Sequence, residues 1–392
     1  MSWLLEKLKG WNRLYAFYRE IQVLIENRKK LWANAVYSFE KYKPEHGNLR
    51  DYKKAMQRHR VSYEEYNTYN YWCLDKKERS NYLSDFELKC IYRKLCDSNE
   101  IKWLDNKLLL HEKFQTHMQR KWLCPSIVSF DTFHQFLSTT NCIIKPWKGS
   151  LGKGVFEVQN EQDEKSTRAL YDRCRNEGLF VEEKVRSCKA MEEFHPKSLN
   201  TIRVMTMSNG KRTEILGGVF RMGVGDHVVD NGAAGGILAP IDLKTGFIID
   251  NGRDEKGHVF VTHPDTGKMI KGFAIPYWNE VVSACKKMST YIPEVIFAGW
   301  DIGVTENGAI ELIEVNSGPH IKVLQTAYGY GFRPKIKALG KELFGYDLMK
   351  LIPVWAKPHV SYKTNMWYKK HLRDVDQTLK DYVETSLKTT KK

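Results

Sequence analysis

Two short apolar segments joined by a tight turn constrain the fold of this chain more than any other feature. The segments FAGWDIGV and AIELIEVN and the turn between them occupy residues 297–304, 309–316 and 305–308. They predict a hairpin of two buried strands, because apolar runs flank a polar turn that ends in glycine. Side chains alternate between the two faces of a strand, so Glu314 and Asn316 share one face and Asp301 can approach from the neighbouring strand. Two carboxylates and an amide oxygen suit Mg²⁺ or Mn²⁺; the alternative is a buried hairpin with incidental polar ends.

A glycine-rich loop upstream has the composition of a phosphate-binding segment. A strand at residues 141–146 carries Lys145 and leads into the loop WKGSLGKG at residues 147–154, which a second strand follows. Backbone N–H groups of such a loop can approach a polyphosphate while lysines neutralise its charge. The candidate ligands in the loop are Lys148, Ser150, Gly152 and Lys153. The spacing is not that of a P-loop, and an ordinary hairpin is the alternative.

A third segment, GLFVEEKV at residues 178–185, predicts an apolar strand that ends in adjacent acids. Such a strand can offer its backbone edge and a carboxylate to the amino group of adenine, with apolar side chains against the ring. The candidate contacts are Glu182, Glu183 and Val185. Taken alone, the segment favours a half-buried strand with solvated acids.

In order, these three segments resemble the ATP-grasp superfamily. The resemblance implies an α+β fold in which two lobes clamp ATP. It also implies that Asp301, Glu314 and Asn316 bind two Mg²⁺ ions, with Mn²⁺ as an alternative and Glu314 as the bridge between the ions.

The same resemblance assigns the nucleotide contacts. It implies that Lys145 binds the α- and β-phosphates and that the loop at residues 148–154 covers the triphosphate. Residues 182–185 match the hinge strand that contacts adenine. Lys113 is a looser match to a lysine that begins the nucleotide lobe in many members.

Within the superfamily, the chain is most similar to the sugar-transfer-associated ATP-grasp group. The segments that carry this similarity are HPKSLNTIRV, GVFRMG and VDNGAAGGILAPID, at residues 195–204, 218–223 and 229–242. The similarity extends over about residues 105–345. The sequence departs from the family at Ser317-Gly318-Pro319-His320, where the family usually places proline before glycine.

The patterns along the chain predict four regions. Residues 1–105 have helical periodicity and form an N-terminal extension. Residues 106–186 form the nucleotide lobe, and residues 187–345 form a mainly antiparallel lobe that carries the metal ligands. Residues 346–392 form a helical C-terminal tail.

The resemblance implies ATP-dependent ligation of a carboxylate to an amine through an acyl-phosphate. Arg203 is the candidate for charge stabilisation, and Arg221 is a second candidate that can instead grip the substrate carboxylate. Backbone N–H groups of Asn231, Gly235 and Gly236 are candidates for the acyl-phosphate oxygens. The implied substrates are small molecules, a sugar acid that is amidated or an amino acid that is joined to a polysaccharide precursor. A kinase acting on a sugar-like hydroxyl and a non-catalytic nucleotide-binding module remain alternatives.

Charge and composition bear on location and partners. The net charge of +15 is concentrated in the first 60 and the last 45 residues, outside the predicted catalytic core. Residues 3–19 alternate aromatic, leucine and basic side chains near helical spacing, which favours either packing on the core or peripheral contact with an anionic membrane. No apolar run is long enough for a membrane span, and no nucleic-acid motif is present. Eight cysteines without C-x-x-C spacing predict free thiols in the cytoplasm.

Overall fold

The computed structural model describes residues 47–96, 102–147, 154–160, 163–225 and 236–352. Both termini of the chain, including the basic residues 3–19 and the predicted C-terminal helix, lie outside these ranges. Two antiparallel sheets organise the described residues, and helices cover both.

A helical segment precedes both sheets. Its helices are α1 (Leu49–His59), α2 (Tyr63–Thr68), α3 (Lys76–Asn81) and α4 (Asp85–Leu95), with a short 3₁₀ turn at Tyr71–Cys73. Capping boxes begin three of these helices, because Ser62, Asp75 and Ser84 each accept a backbone N–H three residues on. The segment is not a detached extension, since Leu88 and Ile91 of α4 lie in the same buried cluster as strand residues of the larger sheet.

The smaller sheet has four strands in the order β1-β4-β2-β3. It comprises β1 (Trp122–Leu123), β2 (Cys142–Pro146), β3 (Phe156–Val158) and β4 (Leu179–Glu183), with α5 (Lys107–Lys113), α6 (Phe130–Thr139) and α7 (Glu164–Glu177) beside it. Helix α7 ends at Gly178, whose φ of +63° is the left-handed conformation that glycine adopts without strain. The structure thus contains the predicted strands on both sides of the glycine-rich loop and the predicted hinge strand.

The larger sheet has seven strands in the order β11-β10-β5-β6-β7-β8-β9. The strands are β5 (Thr201–Ser208), β6 (Thr213–Met222), β7 (Ile237–Ile241), β8 (Gly252–Arg253), β9 (Val259–Phe260), β10 (Phe297–Val304) and β11 (Ile310–Ser317). The helices are α8 (Lys189–Glu192), α9 (Trp278–Ser289), α10 (Lys322–Tyr328) and α11 (Arg333–Phe344), with 3₁₀ turns at Lys102–Asp105 and Leu348–Leu351. The predicted turn at residues 305–308 joins β10 to β11, and Gly308 has a φ of +80° there.

The two faces of the larger sheet bury different side chains. Ile202 and Trp300 face the cluster that contains α9, whereas Met205 and Val219 face the cluster formed with α4, α10 and α11. Because side chains alternate, Arg203 lies on the same face as Met205. This second face therefore carries polar side chains, such as that of Arg203, next to its apolar cluster.

The structure bears on two predictions from composition, which concern membrane spans and cysteine thiols. No helix in the described ranges is both long enough and apolar enough to cross a bilayer. All eight cysteines are free, and Cys73 alone among them is exposed. Burial raises the pKa of several of these thiols, for example that of Cys142 to about 12, so these cysteines behave as small apolar side chains.

Candidate active site

The hairpin β10–β11 brings the predicted metal ligands to one face of the sheet. Asp301 lies opposite Glu314, and Gly299 lies opposite Asn316. A one-residue bulge follows this register, so that Leu312 and Val315, three residues apart, both face the α9 cluster. Glu314 and Asn316 consequently face the other side, together with Asp301. The predicted alternation holds for Glu314 and Asn316, and the bulge, which was not predicted, brings Asp301 to the same face.

Two arginines from neighbouring strands hold Asp301. Arg203 lies opposite Asp301 on β5 and binds both carboxylate oxygens, with Nη2 at 2.7 Å from Oδ2. Arg221 on β6 places Nη1 at 2.9 Å from Oδ1. Burial opposes ionisation of Asp301, but the two guanidinium groups outweigh it and lower the pKa of the carboxyl. The structure therefore brings both candidate catalytic arginines to one buried carboxylate.

Glu314 and Asn316 have unused polar atoms. In the described part of the chain, the carboxylate of Glu314 forms no hydrogen bond or ion pair, and Asn316 Nδ2 is buried without a partner. Burial, followed by the charge of Asp301, raises the pKa of Glu314. A buried amide without a partner and a carboxylate that resists ionisation are both expected where a cation belongs. The two carboxylates and the amide thus fit a hard divalent cation, although no group of three or more His, Cys, Asp or Glu in the described ranges is arranged to hold a metal ion by itself.

On the smaller sheet, Glu182 joins Lys145 to two other side chains. Lys145 Nζ binds Glu182 Oε2, while Oε1 accepts hydrogen bonds from Arg120 Nη2 at 2.9 Å and His111 Nε2 at 2.8 Å. Burial lowers the pKa of Lys145, and Glu182 partly offsets this effect. The pKa of Glu182 lies well below its ordinary value, because Arg120 and Lys145 outweigh the effect of burial. The side chain of Glu182 is therefore fully engaged within the protein.

Arg120 connects the two sheets and was not predicted from the sequence. Its Nη1 lies 2.7 Å from Glu311 Oε1 on β11, while its Nη2 binds Glu182 on β4. Arg120 also donates to the carbonyl oxygens of Leu312 at 2.6 Å and Ile313 at 3.3 Å. The side chain is only 4% exposed. One buried guanidinium thus fixes the hinge strand of the smaller sheet relative to the strand that carries Glu314.

The two lysines of α5, Lys107 and Lys113, differ in where their side chains lie. Lys113 ends α5 with its side chain exposed. Lys107, at the other end of the same helix, is half-buried; its charge adds to the burial that lowers the pKa of Lys145 and opposes the burial that raises the pKa of Glu314. Lys107 is therefore the lysine of α5 that the structure brings toward the two lobes' charged groups, while the role of Lys113 stays a prediction.

Three of the other predicted contacts, Glu183, Val185 and Gly236, lie within the described residues. Glu183 Oε2 accepts a hydrogen bond from the backbone of Lys121 at 3.1 Å, and Val185 follows the end of β4. Gly236 is buried directly before β7. The loop candidates Lys148, Ser150, Gly152 and Lys153, and the candidates Asn231 and Gly235, lie outside the described residues.

His195 is buried, and its ring is hydrogen-bonded within the fold. It is 2% exposed, and its ring nitrogens contact Ser198 Oγ and the carbonyl oxygen of Gly225, each at 2.8 Å. Both ring nitrogens are thus used within the fold, so this histidine anchors its turn rather than presenting a free nitrogen to a ligand.

Comparisons with known proteins place this architecture in a family. The sequence profile of the sugar-transfer-associated ATP-grasp family matches residues 77–341. No curated protein matches the chain significantly. The match begins inside the region assigned above to an N-terminal extension, one residue into α3, and it includes all of α4.

Several solved structures resemble the chain at low identity. ATP-grasp ligase PsnB, complexed with a minimal precursor, is 13% identical over 62% of this chain and 63% of that chain, with a TM-score of 0.38. The L-amino acid ligase from Bacillus licheniformis is 11% identical over 64% and 47%, with a TM-score of 0.35. D-alanyl-alanine synthetase A from Vibrio cholerae is 11% identical over 65% of each chain, with a TM-score of 0.37. The chain spans less than two thirds of the length of each of these structures.

The family profile covers more than half of the chain and includes both sheets described above. The α+β class predicted from the sequence is confirmed by these two antiparallel sheets and their helices. The chain therefore belongs to the sugar-transfer-associated ATP-grasp family and has the ATP-grasp fold.

Proposed function

We propose that this chain is an ATP- and Mg²⁺-dependent ligase that joins a carboxylate to an amine through an acyl-phosphate. The observation that carries the proposal is the juxtaposition of Asp301, Glu314 and the unpartnered amide of Asn316 on one sheet face. Lys145 and Lys107 lie close enough for their charges to oppose part of the burial effect that raises the pKa of Glu314. Such an arrangement of acidic and basic groups suits a triphosphate bound with divalent cations.

Asp301, Glu314 and Asn316 would hold the cations. The remaining lone pair on Asp301 Oδ2 is available because Oδ2 accepts only the Arg203 Nη2 hydrogen bond among the contacts described. Bound Mg²⁺ supplies neutralisation of the phosphoryl charge during transfer. The amide oxygen and nitrogen of Asn316 can be exchanged by rotation of the side chain, so the amide can present oxygen to a cation.

The lysines and arginines would bind the negative groups of both substrates. Lys145 and Lys107 would neutralise phosphates, and the glycine-rich loop at residues 148–154 would complete the contacts. Arg203 and Arg221 lie beside Asp301 and would stabilise the transferring phosphoryl group or orient the substrate carboxylate. ATP-grasp enzymes of this kind need little covalent help from the protein, because positioning and charge neutralisation account for most of the rate.

The family supports a chemical class for the acid and amine substrates and does not identify the individual compounds. Its association with sugar transfer supports a sugar acid that is amidated, or an amino acid that is joined to a polysaccharide precursor. A cytoplasmic location, with peripheral membrane contact through the basic N-terminal residues, is part of the same proposal.

A hydroxylamine assay tests the ligase function without knowledge of the amine. The full chain is incubated with ATP, MgCl₂, hydroxylamine and single acids from a panel of uronic acids, sugar acids and amino acids. A ligase releases phosphate and forms a hydroxamate from the acid that it recognises, since hydroxylamine intercepts acyl-phosphates. Mass analysis of the products separates this outcome from a kinase, which would leave phosphate on the acid or sugar.

Two variants make the assay specific for the site. Glu314→Gln should lower hydroxamate formation by roughly 100-fold or more, because it removes the charge at the centre of the proposed cation site. Glu177→Gln is the matched control, since Glu177 is exposed on α7 and pairs with Arg173. Consumption of ATP that is unaffected by Glu314→Gln would contradict the proposed mechanism.

A further inference from the structure

The loop after β11 crosses the sheet on the face that carries the site. A Cβ atom added to Gly299 would lie 2.8 Å from Pro319 Cβ and 3.4 Å from Arg203 Cδ. Pro319 therefore lies over β10, beside the arginine that holds Asp301. Leu324, farther along α10, lies over Gly217 of β6. The chain thus runs from β11 across β10 toward β6 on the site face, and His320 is part of this crossing.

His320 is oriented by a carboxylate from the helical segment. Its Nδ1 lies 2.6 Å from Asp85 Oδ2, and Asp85 Oδ1 accepts the backbone N–H of Lys322 at 3.2 Å. An ionised carboxylate can only accept, so Nδ1 donates and the neutral ring carries its lone pair on Nε2. The side chain of His320 is 57% exposed, whereas that of Asp85 is 17% exposed. Among the described residues, none forms a hydrogen bond with Nε2.

The charged neighbours of this pair are themselves paired. Lys322 Nζ binds Glu64 at 2.6 Å and Glu255 at 2.9 Å, so its positive charge is compensated. Glu65 accepts the backbone N–H of Asp85 at 2.7 Å. Asp85 is thus held through its backbone by Glu65 of α2 and through its carboxylate by the backbone N–H of Lys322 at the start of α10. The carboxylate that faces His320 is therefore rigidly placed.

We propose that His320, oriented by Asp85, is the base that accepts a proton from the acceptor amine. This inference rests on the ligase function proposed above. The protonated amine transfers one proton to Nε2, and Asp85 stabilises the resulting imidazolium through Nδ1–H. The nitrogen lone pair then forms a bond with the acyl carbon, and the carbon–oxygen bond to phosphate breaks as phosphate leaves with the electron pair. The second nitrogen proton goes to the departing phosphate or to water, which leaves a neutral amide.

The proposal gives a role to two features that the metal site does not use. The departure from the family pattern at residues 317–320 places a histidine after the proline. The helical segment that precedes both sheets supplies the carboxylate that orients this histidine. Neither feature binds nucleotide in the arrangement proposed above, so both are free to act on the acceptor.

A comparison of two small nucleophiles, hydroxylamine and ammonium, tests whether His320 acts as a base or has only a structural role. Near neutral pH, hydroxylamine is uncharged and needs no base, whereas ammonium must lose a proton before it can attack. With the acid identified by the hydroxamate screen, His320→Gln should form hydroxamate within about threefold of the wild-type rate. The same variant should lose about 100-fold in carboxamide formation from ammonium chloride, the lower end of what a positioned base contributes. This loss should shrink as the pH is raised, because free ammonia then becomes abundant.

The chain contains a closely matched control pair. His258 Nδ1 lies 2.8 Å from Asp254 Oδ2, and the His258 side chain is 62% exposed. His258→Gln should change neither reaction, whereas Asp85→Asn should reproduce the selective loss with ammonium more weakly. Circular dichroism of each variant establishes that it is folded.

The negative results of these assays separate failure of the ligase function from failure of His320 as the base. Wild-type protein that forms no hydroxamate with any acid overturns the ligase function and this inference with it. Wild-type hydroxamate formation, together with equal effects of His320→Gln on both nucleophiles, overturns the base alone. Wild-type protein that forms hydroxamate but no carboxamide also overturns it, since no working base then serves a small amine.

Discussion

Replacement of Arg120 by methionine removes the one guanidinium that joins Glu182 on the smaller sheet to Glu311 on the larger sheet. Methionine is unbranched and apolar, so it fills most of the space along the arginine stem without introducing a new charge. The two carboxylates, whose side chains are 5% and 3% exposed, stay buried after the substitution. We expect this variant to be less stable and to hold the two lobes less firmly.

The magnitude follows from what remains around each carboxylate. Glu182 keeps Lys145 and His111 as partners. Among the described residues, Glu311 keeps only backbone N–H groups, from Gln119 at 2.9 Å and from residue 120 at 3.3 Å. One buried charge is therefore left without a counterion, and breaking a buried pair in this way costs about 3–5 kcal/mol. The lost hydrogen bonds to two carbonyl oxygens of β11 belong to the same network and are not added separately.

Urea unfolding followed by circular dichroism measures this loss at neutral pH. Arg173→Met is the control, because Arg173 forms an exposed pair with Glu177 on α7 and such pairs contribute about 0–1 kcal/mol. A loss below about 1 kcal/mol for Arg120→Met would refute the assignment of Arg120 as the buried link between the lobes.

The pH dependence of Arg120→Met provides a second measurement with a definite sign. The pKa of Glu182 is depressed in the folded protein, so its pairing contributes stability above the unfolded pKa of about 4.3 and loses it as pH falls through the folded value. Removal of Arg120 takes away part of that contribution. The gap between wild type and variant should therefore be widest near neutral pH and should narrow below about pH 4.

The remaining predictions concern the sheet face and the phosphate contacts. Gly299→Ala should cost about 1–3 kcal/mol by overpacking and should impair ligation, because its Cβ would lie 2.8 Å from Pro319; Gly303→Ala on the same strand has no neighbour nearer than 3.4 Å and should be tolerated. Lys145→Ala should weaken binding of an ATP analogue by roughly 10- to 100-fold in calorimetry, since a charged hydrogen bond contributes about 1.5–3 kcal/mol. Lys165→Ala, on exposed α7, should leave the affinity unchanged; equal affinities for all three proteins would place the phosphates elsewhere.

Local patterns explain why part of the site could be predicted from the sequence. The polar turn predicts the hairpin of β10 and β11, and alternation predicts that Glu314 and Asn316 share a face. The strands on both sides of the glycine-rich loop could be predicted for the same reason. The bulge that brings Asp301 opposite Glu314 could not be predicted in this way. Whether these side chains bind metal and nucleotide stays a prediction.

The groups that the sequence did not reveal come from distant segments. Arg120 contacts Glu311 across 191 positions, and His320 contacts Asp85 across 235 positions. No periodicity connects residues so far apart, because only tertiary packing brings them together: the two lobes in the first case, and the helical segment on the larger lobe in the second. Lys107 was missed for a different reason: α5 has seven residues and a lysine at each end, and local pattern does not say which end faces the other sheet.

The shared contacts of Glu182 suggest how the site tolerates both the presence and the absence of nucleotide. Without nucleotide, Lys145 is compensated by Glu182, so its buried charge has a partner. If Lys145 turns to a phosphate, Glu182 still accepts hydrogen bonds from Arg120 and His111. Neither state then leaves a buried charge unpaired, which would cost several kcal/mol. The free-energy difference between the two positions of Lys145 is thereby kept small, and ATP affinity can depend mainly on the new phosphate contacts.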